Sequence, residues 1–490
     1  MHTHGQVEQT RRLELLLGAE EASFEVIPAE NDGLFLHRRL SATGADQIDI
    51  VKLDTALNEQ WHGFLPVPKN YMMAGKRTHN SQLYLLFRAA DFSRNDLELY
   101  SLNSALGQYT RYQIKSFIPI QVTEFQVTSD AALIGGYFNH VPLVIHFSFT
   151  AEKSKVLPGM LNESGDLNQV RTYPDGSFDV LICARNYLKQ KTVWIKNYDA
   201  EGNLKANYPL QTEDRKSLLF GRSIKSFNQM QVVAGVYGNR NSEYSKGLFV
   251  TTIDPIGNQQ TRYYNFADLE NFFKYLKARR QNRIKNRIDR RKIKGKKIRF
   301  NYRFLVHELI PYNGQYILLG EAFYPRYITV DRTYYGGFFN PSFVNRGMVQ
   351  NGRIFDGYFY THAVVIGFEE DGKLVWDNSF EINDVRTFTL EQFVRLEPQE
   401  DRIALFYLFG NEIRSKIIQD NKVLEGKASD PIMTRFKSDV TKEKEATQNK
   451  LDYWYADYFY ASGVQEILNW QEANVNPKRR VFFVNKLRYR

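Results

Sequence analysis

A unit of about 50 residues recurs along the whole chain, and such a period points to repeated supersecondary units packed side by side. Each unit reads as an apolar strand, a polar turn, a second apolar strand and a short turn rich in Asp, Asn and Gly. The second strands at 50–53, 97–100, 193–195, 248–250 and 363–366 run into turns centred on Asn58, Gly107, Gly202, Gly257 and Gly372. Those centres are 49, 95, 55 and 115 residues apart. The 95 is two periods with a degenerate unit turning near Ala151, and the 115 is one period swollen by insertions. A further unit runs from 403–406 to Asp420-Asn421. Gly or Asn at each centre supplies the positive φ that a tight reversal requires. The preceding strands recur at 33–37, 83–87, 133–137, 180–184, 232–237, 316–320 and 458–464, which brings the hairpins to eight. The last unit, 481–487, lacks a fourth strand, and Leu13 to Leu17 would supply it and close a ring. These features predict an all-β chain, a β-propeller of seven or eight four-stranded blades with a basic helical insertion in one blade. Two stacked β-domains are the alternative, and a solenoid fits less well because the turns are not strictly periodic. Trp376-Asp377 occurs once without a recurring Gly-His partner, so the repeat is not of the WD kind.

Composition agrees with a packed β protein. The 490 residues are 43% hydrophobic and 14% aromatic, which excludes a compositionally disordered chain. The 35 Phe and 30 Tyr suit strands. One cysteine, Cys183, excludes intramolecular disulfides and a Cys-based zinc site, and its apolar surroundings at 180–184 read as a core. The stretch 131–150 contains no Lys, Arg, Asp or Glu, but Asn139-His140-Val141-Pro142 divides it into two strands and a turn rather than a membrane span. Residues 1–12 read as an N-terminal segment ahead of a single propeller domain at 13–490. Thr3 and Gly5 ahead of Gln6 stand where a signal-peptide cut takes small residues, so the segment is a candidate remnant of a secretory signal. An ordinary cytoplasmic start is the alternative.

Charge is concentrated in one place. Between Lys274 and Arg299 there are fourteen Lys and Arg against one acid, Asp289, a balance of +13 in a chain of net +10, so the remainder sums to −3. The insertion at 265–299 reads as a helix capped by Asn265, with Asp268 and Glu270 in its first turn. Leu269, Phe272, Phe273, Leu276, Ile284 and Ile288 follow helical spacing, which predicts a rod docked by its N-terminal half and protruding beyond it. The cations Lys277, Arg279, Arg280, Arg283, Lys285, Arg287, Arg290, Arg291 and Lys292 are then candidate partner-binding residues. An acidic protein surface or anionic lipid suits them. Nucleic acid does not, since the rest of the chain offers no basic groove. A merely solvated charged helix is the plain alternative. A second candidate contact is the aromatic loop 327–355, with Tyr334, Tyr335, Phe338 and Phe339 among glycines and a proline. The competing expectation is that this loop folds back over its own blade.

No nucleophile elbow, zinc-protease helix, phosphate loop or calcium loop is present. His307 and Glu308 are adjacent, which on a regular strand turns them to opposite faces. A cluster of His307, His362 and Asp356 is the faint remaining candidate, and strand-end structural histidines are commoner. The expectation is a protein without catalytic residues, metal or cofactor.

Several stretches carry a resemblance. They are 302–308, 321–325 and 355–363, then Leu374-Val375-Trp376-Asp377-Asn378-Ser379-Phe380, Tyr453-Trp454-Tyr455 and 479–486. Together with the basic insertion they resemble a family of exported β-propeller-type proteins of Bacteroidota, similar to the Plug subunit of the type 9 secretion translocon. The resemblance spans about Asn265 to the C-terminus and transfers no catalytic residue. It implies a periplasmic protein associated with the outer membrane that binds a membrane-protein channel and caps it. A propeller enzyme, or a glycan-binding propeller using the central channel, is the alternative.

Overall fold

The computed structural model is a β-propeller of eight antiparallel sheets. The structure describes residues 7–489 except 42–43, 92–95, 117, 161–163, 214, 226–229, 241, 297, 299, 330–348, 351–352, 384, 443–448 and 473–474. Blades 1 to 7 span 25–67, 71–115, 121–156, 165–209, 216–265, 303–381 and 395–431, and the first strands of blades 1 to 6 pack on one another in succession around the axis. Blade 8 takes its inner strands from 440–489 and its outermost strand from Val7–Leu16. That strand pairs antiparallel with Lys478–Tyr489, Leu13 opposite Val484 and Leu16 opposite Val481. It begins six residues ahead of the domain boundary expected at 13. Arg12 lies inside the closed blade: its guanidinium donates to Glu14, Asn485 and Gln465 at 2.7–2.9 Å and sits over the Phe483 ring.

There is no single core. Eight apolar clusters fill the spaces between the sheets, one per pair of neighbouring blades, with the last joining blade 8 to blade 1. The second strand of blade 2 shows how one strand serves two of them. Leu83, Leu85 and Phe87 face blade 1, while Tyr84 and Leu86 face blade 3. A strand buried on both faces has to be apolar at every position, which is why the second strands stand out as unbroken runs. The stretch 131–150 is the same case: Ala131–Phe138 and Val141–Ser148 pair around Asn139 and His140, both at positive φ. Cys183 is buried on such a strand, its thiol donating to the Leu218 carbonyl at 3.2 Å, and burial pushes its pKa up to about 12.

The repeated Asp/Asn/Gly turns are the links between third and fourth strands. In three blades they are superimposable in bonding. Asp54, Asp199 and Asp254 each accept from the backbone N–H and the side-chain amide of the residue four further on, at 2.7–3.1 Å. The residue before that Asn, Leu57, Gly202 or Gly257, takes positive φ.

The inner strands of blades 2 to 6 all carry a β-bulge at the same place, with Ala74, Thr123, Asn168, Leu219 and His307 as the extra residues. A bulge bends its strand and increases the local twist, which curves each inner edge about the axis. In blade 5 the bulge brings the Phe220 carbonyl against Gly235 of the second strand, where a Cβ would overlap that oxygen. Gly235→Ala should therefore destabilise the protein by about 2 kcal/mol or more, the cost of overpacking a site that cannot relax. Urea unfolding would show this as a lower midpoint at unchanged slope, and an unshifted midpoint would mean that the inner strand yields.

Candidate interaction surface

Two ends of the ring are distinguishable. At the turn end lie the links between first and second and between third and fourth strands. At the crossover end lie the links between second and third strands and the passages from blade to blade. The turn-end links hold fifteen Asp and Glu against two cations, Lys373 and Arg402. Strand cations offset part of this, as Lys205 does at Asp199 (2.9 Å) and Arg262 at Asp371 (2.8 Å). The basic insertion connects blade 5 to blade 6 and so belongs to the crossover end.

The insertion has a root and a helix. Asn265 does form a cap-like turn, its side-chain oxygen accepting from the Ala267 N–H while its own N–H donates to the Asp268 carboxylate, but no helix follows it. Phe266, Leu269, Phe272 and Phe273 are instead buried in the cluster between blades 5 and 6. The same spacing would suit one face of a helix, but here the chain wraps in successive turns and fits these side chains between the two sheets, so packing overrides the helical signal. At about 1.5–3 kcal/mol for each large apolar side chain, these four anchors far outweigh the lost turns of helix. Asp377, on the outer strand of blade 6, fixes the root further by accepting from the Glu270 and Asn271 N–H groups at 2.8 and 2.7 Å.

The helix, α1, spans Ala278–Ile293. It is not a rod held by its first half. Ile284 and Ile288 pack into the same cluster as Phe300, and Ile288 in the second half is the buried residue of the helix. Arg279, Arg280, Arg283, Lys285, Arg287 and Arg290 are exposed, as are Lys277 just before the helix and Lys292, which approaches Asp268 at 4.0 Å; Arg291 is half-buried. Arg279, Arg283, Arg287 and Arg291 form an unbroken i, i+4 ladder of like charge. Each such pair costs roughly 0.2–0.5 kcal/mol, so docking rather than surface pairing holds this helix together.

A second outgrowth rises from blade 6. Its middle strands, Gln315–Thr329 and Arg353–Glu369, are paired over their whole length and extend beyond the sheet as a two-stranded arm. The ends of the expected loop 327–355 are thus strand. Tyr334, Tyr335, Phe338 and Phe339 lie outside the described residues. On the arm and beside it, Tyr324, Tyr327, Ile328 and Phe388 are each about half exposed (44–58%). Arg326 and Arg386 both pair with Asp356, and Tyr324 stacks on Phe359.

The two outgrowths meet at their bases. His362, on the strand that leads down from the arm, stacks on Tyr275 at 3.7 Å, with Phe272 and Tyr302 edge-on. Its Nδ1 bonds the Thr361 hydroxyl, while Nε2 is buried without a partner, and burial pushes its pKa down to about 3. The candidate cluster of His307, His362 and Asp356 is therefore not formed. His307 bonds Glu321 at 2.9 Å, and Glu321 accepts from the Phe393 and Val394 N–H groups of the passage into blade 7. The expected opposition of His307 and Glu308 also fails, because the bulge at His307 breaks the alternation. Glu308 accepts from Gln392 at 2.6 Å, so both residues end on the same 392–394 stretch. These carboxylates clamp blade 6 to blade 7, and Tyr453 of blade 8 joins them through Leu396. Among the described residues no group of three or more His, Cys, Asp or Glu could hold a metal ion.

Sequence reading missed a second cationic group at the crossover end. Arg185, Lys189, Lys191, Arg215 and Arg240 line two adjoining clefts beside blades 4 and 5, where Tyr187 is almost fully exposed. These cations are scattered over 56 residues of sequence, so no charge run announces them.

No protein-family model matches this chain, and no characterised protein matches it in sequence. Solved structures match its fold. The polysaccharide lyase Uly1 is 9% identical, with a TM-score of 0.41 over 98% of this chain and 99% of its own. The dihydro-heme d1 dehydrogenase NirN is 11% identical, with a TM-score of 0.43 over 97% and 78%. Prolyl oligopeptidase B from Galerina marginata is 8% identical, with a TM-score of 0.41 over 91% and 56%. Such likeness shows the fold alone. It also corrects the expectation of a protein that is not an enzyme: enzymes stand among the matches, and a propeller gives no ground for excluding catalysis.

Two outcomes test the root. Asp377→Asn, which removes the carboxylate and one of its two acceptors for the Glu270 and Asn271 N–H groups, should cost about 1–3 kcal/mol in unfolding experiments. Neutral His362 makes stability depend on pH. Between about pH 6.5, where the unfolded histidine titrates, and about 3, the unfolded chain binds a proton that the folded chain excludes. Stability at this site is complete above that window and falls as the pH drops through it. His362→Gln should flatten the acid limb of a stability–pH curve relative to the parent, and parallel limbs would exclude the role.

Proposed function

We propose that this protein binds another protein through the crossover end of blades 5 and 6. The observation that carries the reading is that α1 and the arm, two departures from a plain four-stranded meander, rise from the same place and are joined at the Tyr275–His362 stack. Half-exposed aromatics on a paired two-stranded ribbon suit the anchoring core of an interface, and arginines suit its surroundings. The cations of α1 would speed encounter with an acidic surface and orient it.

The finer reading follows from the sequence resemblance: the partner is an outer-membrane secretion channel of the type 9 kind, capped from the periplasmic side. The one-sided placement of both outgrowths, which a cap on a ring-shaped mouth needs, supports it. The test is gentle detergent extraction of the tagged protein followed by identification of what co-purifies. A channel component should be recovered with it, and Tyr324→Ser/Tyr327→Ser should reduce that recovery at least severalfold. Recovery of this protein alone would overturn the channel reading. Recovery of a soluble partner through the same tyrosines would keep the surface and replace the partner.

A further inference from the structure

The cations of α1 are not evenly spread in space. Arg283, Arg287, Arg290, Arg291, Lys294 and Lys296, with Asn286, line one groove of about 490 Å³ between a flank of the helix and the chain that returns past Gly295. No carboxylate lines it. Two ordinary explanations fall short. Cations in a last helical turn complement the helix dipole, but that accounts for Arg290 and Arg291 and not for Arg283 and Arg287, which stand one to two turns earlier. A solvated charged helix interleaves acids at i+4, and here the single acid, Asp289, is not among the lining residues.

We infer that this groove is a binding site for a ligand bearing two or more phosphate groups. Four of the six cations are arginines, whose planar guanidinium forks match phosphate oxygens two at a time, while the lysines add point charges. Asn286 adds a neutral donor within the same groove. The volume is that of a small-molecule site rather than of a single ion. Docking of Ile284 and Ile288 holds the helix against the ring, so the like-charged side chains face one another before any ligand arrives. A bound polyanion neutralises the three members of the arginine ladder that line the groove, Arg283, Arg287 and Arg291, and relieves their repulsion. The ligand is either a soluble polyphosphate or a lipid headgroup with two phosphates. Ile284 and Ile288 face the scaffold, which leaves Ile293 as the exposed apolar residue of the helix, so α1 would meet a lipid at headgroup level without inserting.

The inference stands apart from the protein-binding reading, because its test needs no partner protein. The full chain is titrated with tripolyphosphate at physiological salt. In a second arm it is floated with phosphatidylcholine vesicles with and without cardiolipin. Arg283→Gln/Arg287→Gln/Arg290→Gln is compared with Arg279→Gln/Arg280→Gln/Lys285→Gln, which removes equal charge from the same helix outside the groove. Saturable binding is expected, weakened about tenfold or more by the groove variant and less than about threefold by the other. Thermal melting of each variant, with Arg290→Gln alone as a milder form, guards against misfolding. Tripolyphosphate binding without cardiolipin flotation assigns a soluble ligand, and both together assign the headgroup. Equal losses in the two triple variants, or no saturable binding by the parent, would overturn the site.

Discussion

Every blade of this protein buries its apolar faces against its two neighbours, with the root of the insertion wedged between blades 5 and 6. That constraint governs the rest of the structure. With eight interface clusters and no common centre, an unclosed ring would leave two sheet faces in water, each lined with residues such as Leu34, Leu36, Phe482 and Val484. The strand Val7–Leu16 removes that cost by completing blade 8 from the other end of the sequence. It joins residues nearly five hundred positions apart, so the closing contact is also the one of longest range. Inter-blade clamps such as Glu321 on the Phe393 and Val394 N–H groups tighten interfaces that burial has already formed.

The insertion obeys the same rule. It is long enough to leave the ring, yet its first third is spent filling the space between blades 5 and 6. Only beyond Leu276 does the chain become a charged surface helix. The division of labour is visible in residue type: Phe266, Leu269, Phe272 and Phe273 pack, and the arginines that follow are displayed. The root is held by a desolvated Asp377 whose carboxyl is raised above the usual range by burial and by a neutral His362 stacked on Tyr275. A firmly held base lets the helix keep a charge pattern that would not fold alone.

Much of this architecture was legible in the sequence, and the reasons are local. Asp54, Asp199 and Asp254 with their Asn partners are self-contained turns, so their spacing is read directly as blade spacing. Second strands buried on both faces are continuous apolar runs, which fixed their positions well. What escaped was non-local. Asn265 carries a helix-capping signal that the wedge between two blades overrides. The bulge at His307 has no composition of its own and reverses the facing of every residue after it. Arg185, Lys189, Arg215 and Arg240 come together only because the ring places loops of blades 4 and 5 side by side.

The separation of carboxylates at the turn end from the basic insertion at the crossover end gives the molecule a permanent electric axis roughly along the ring. In a uniform field such a body feels a torque, and near a negatively charged plane that torque acts before contact, over about one Debye length of 8–10 Å at cellular ionic strength. The protein would arrive at such a plane already turned, with blades 5 and 6 leading. Rotational search, which normally limits the docking of one particular patch, is shortened for this end and lengthened for the other.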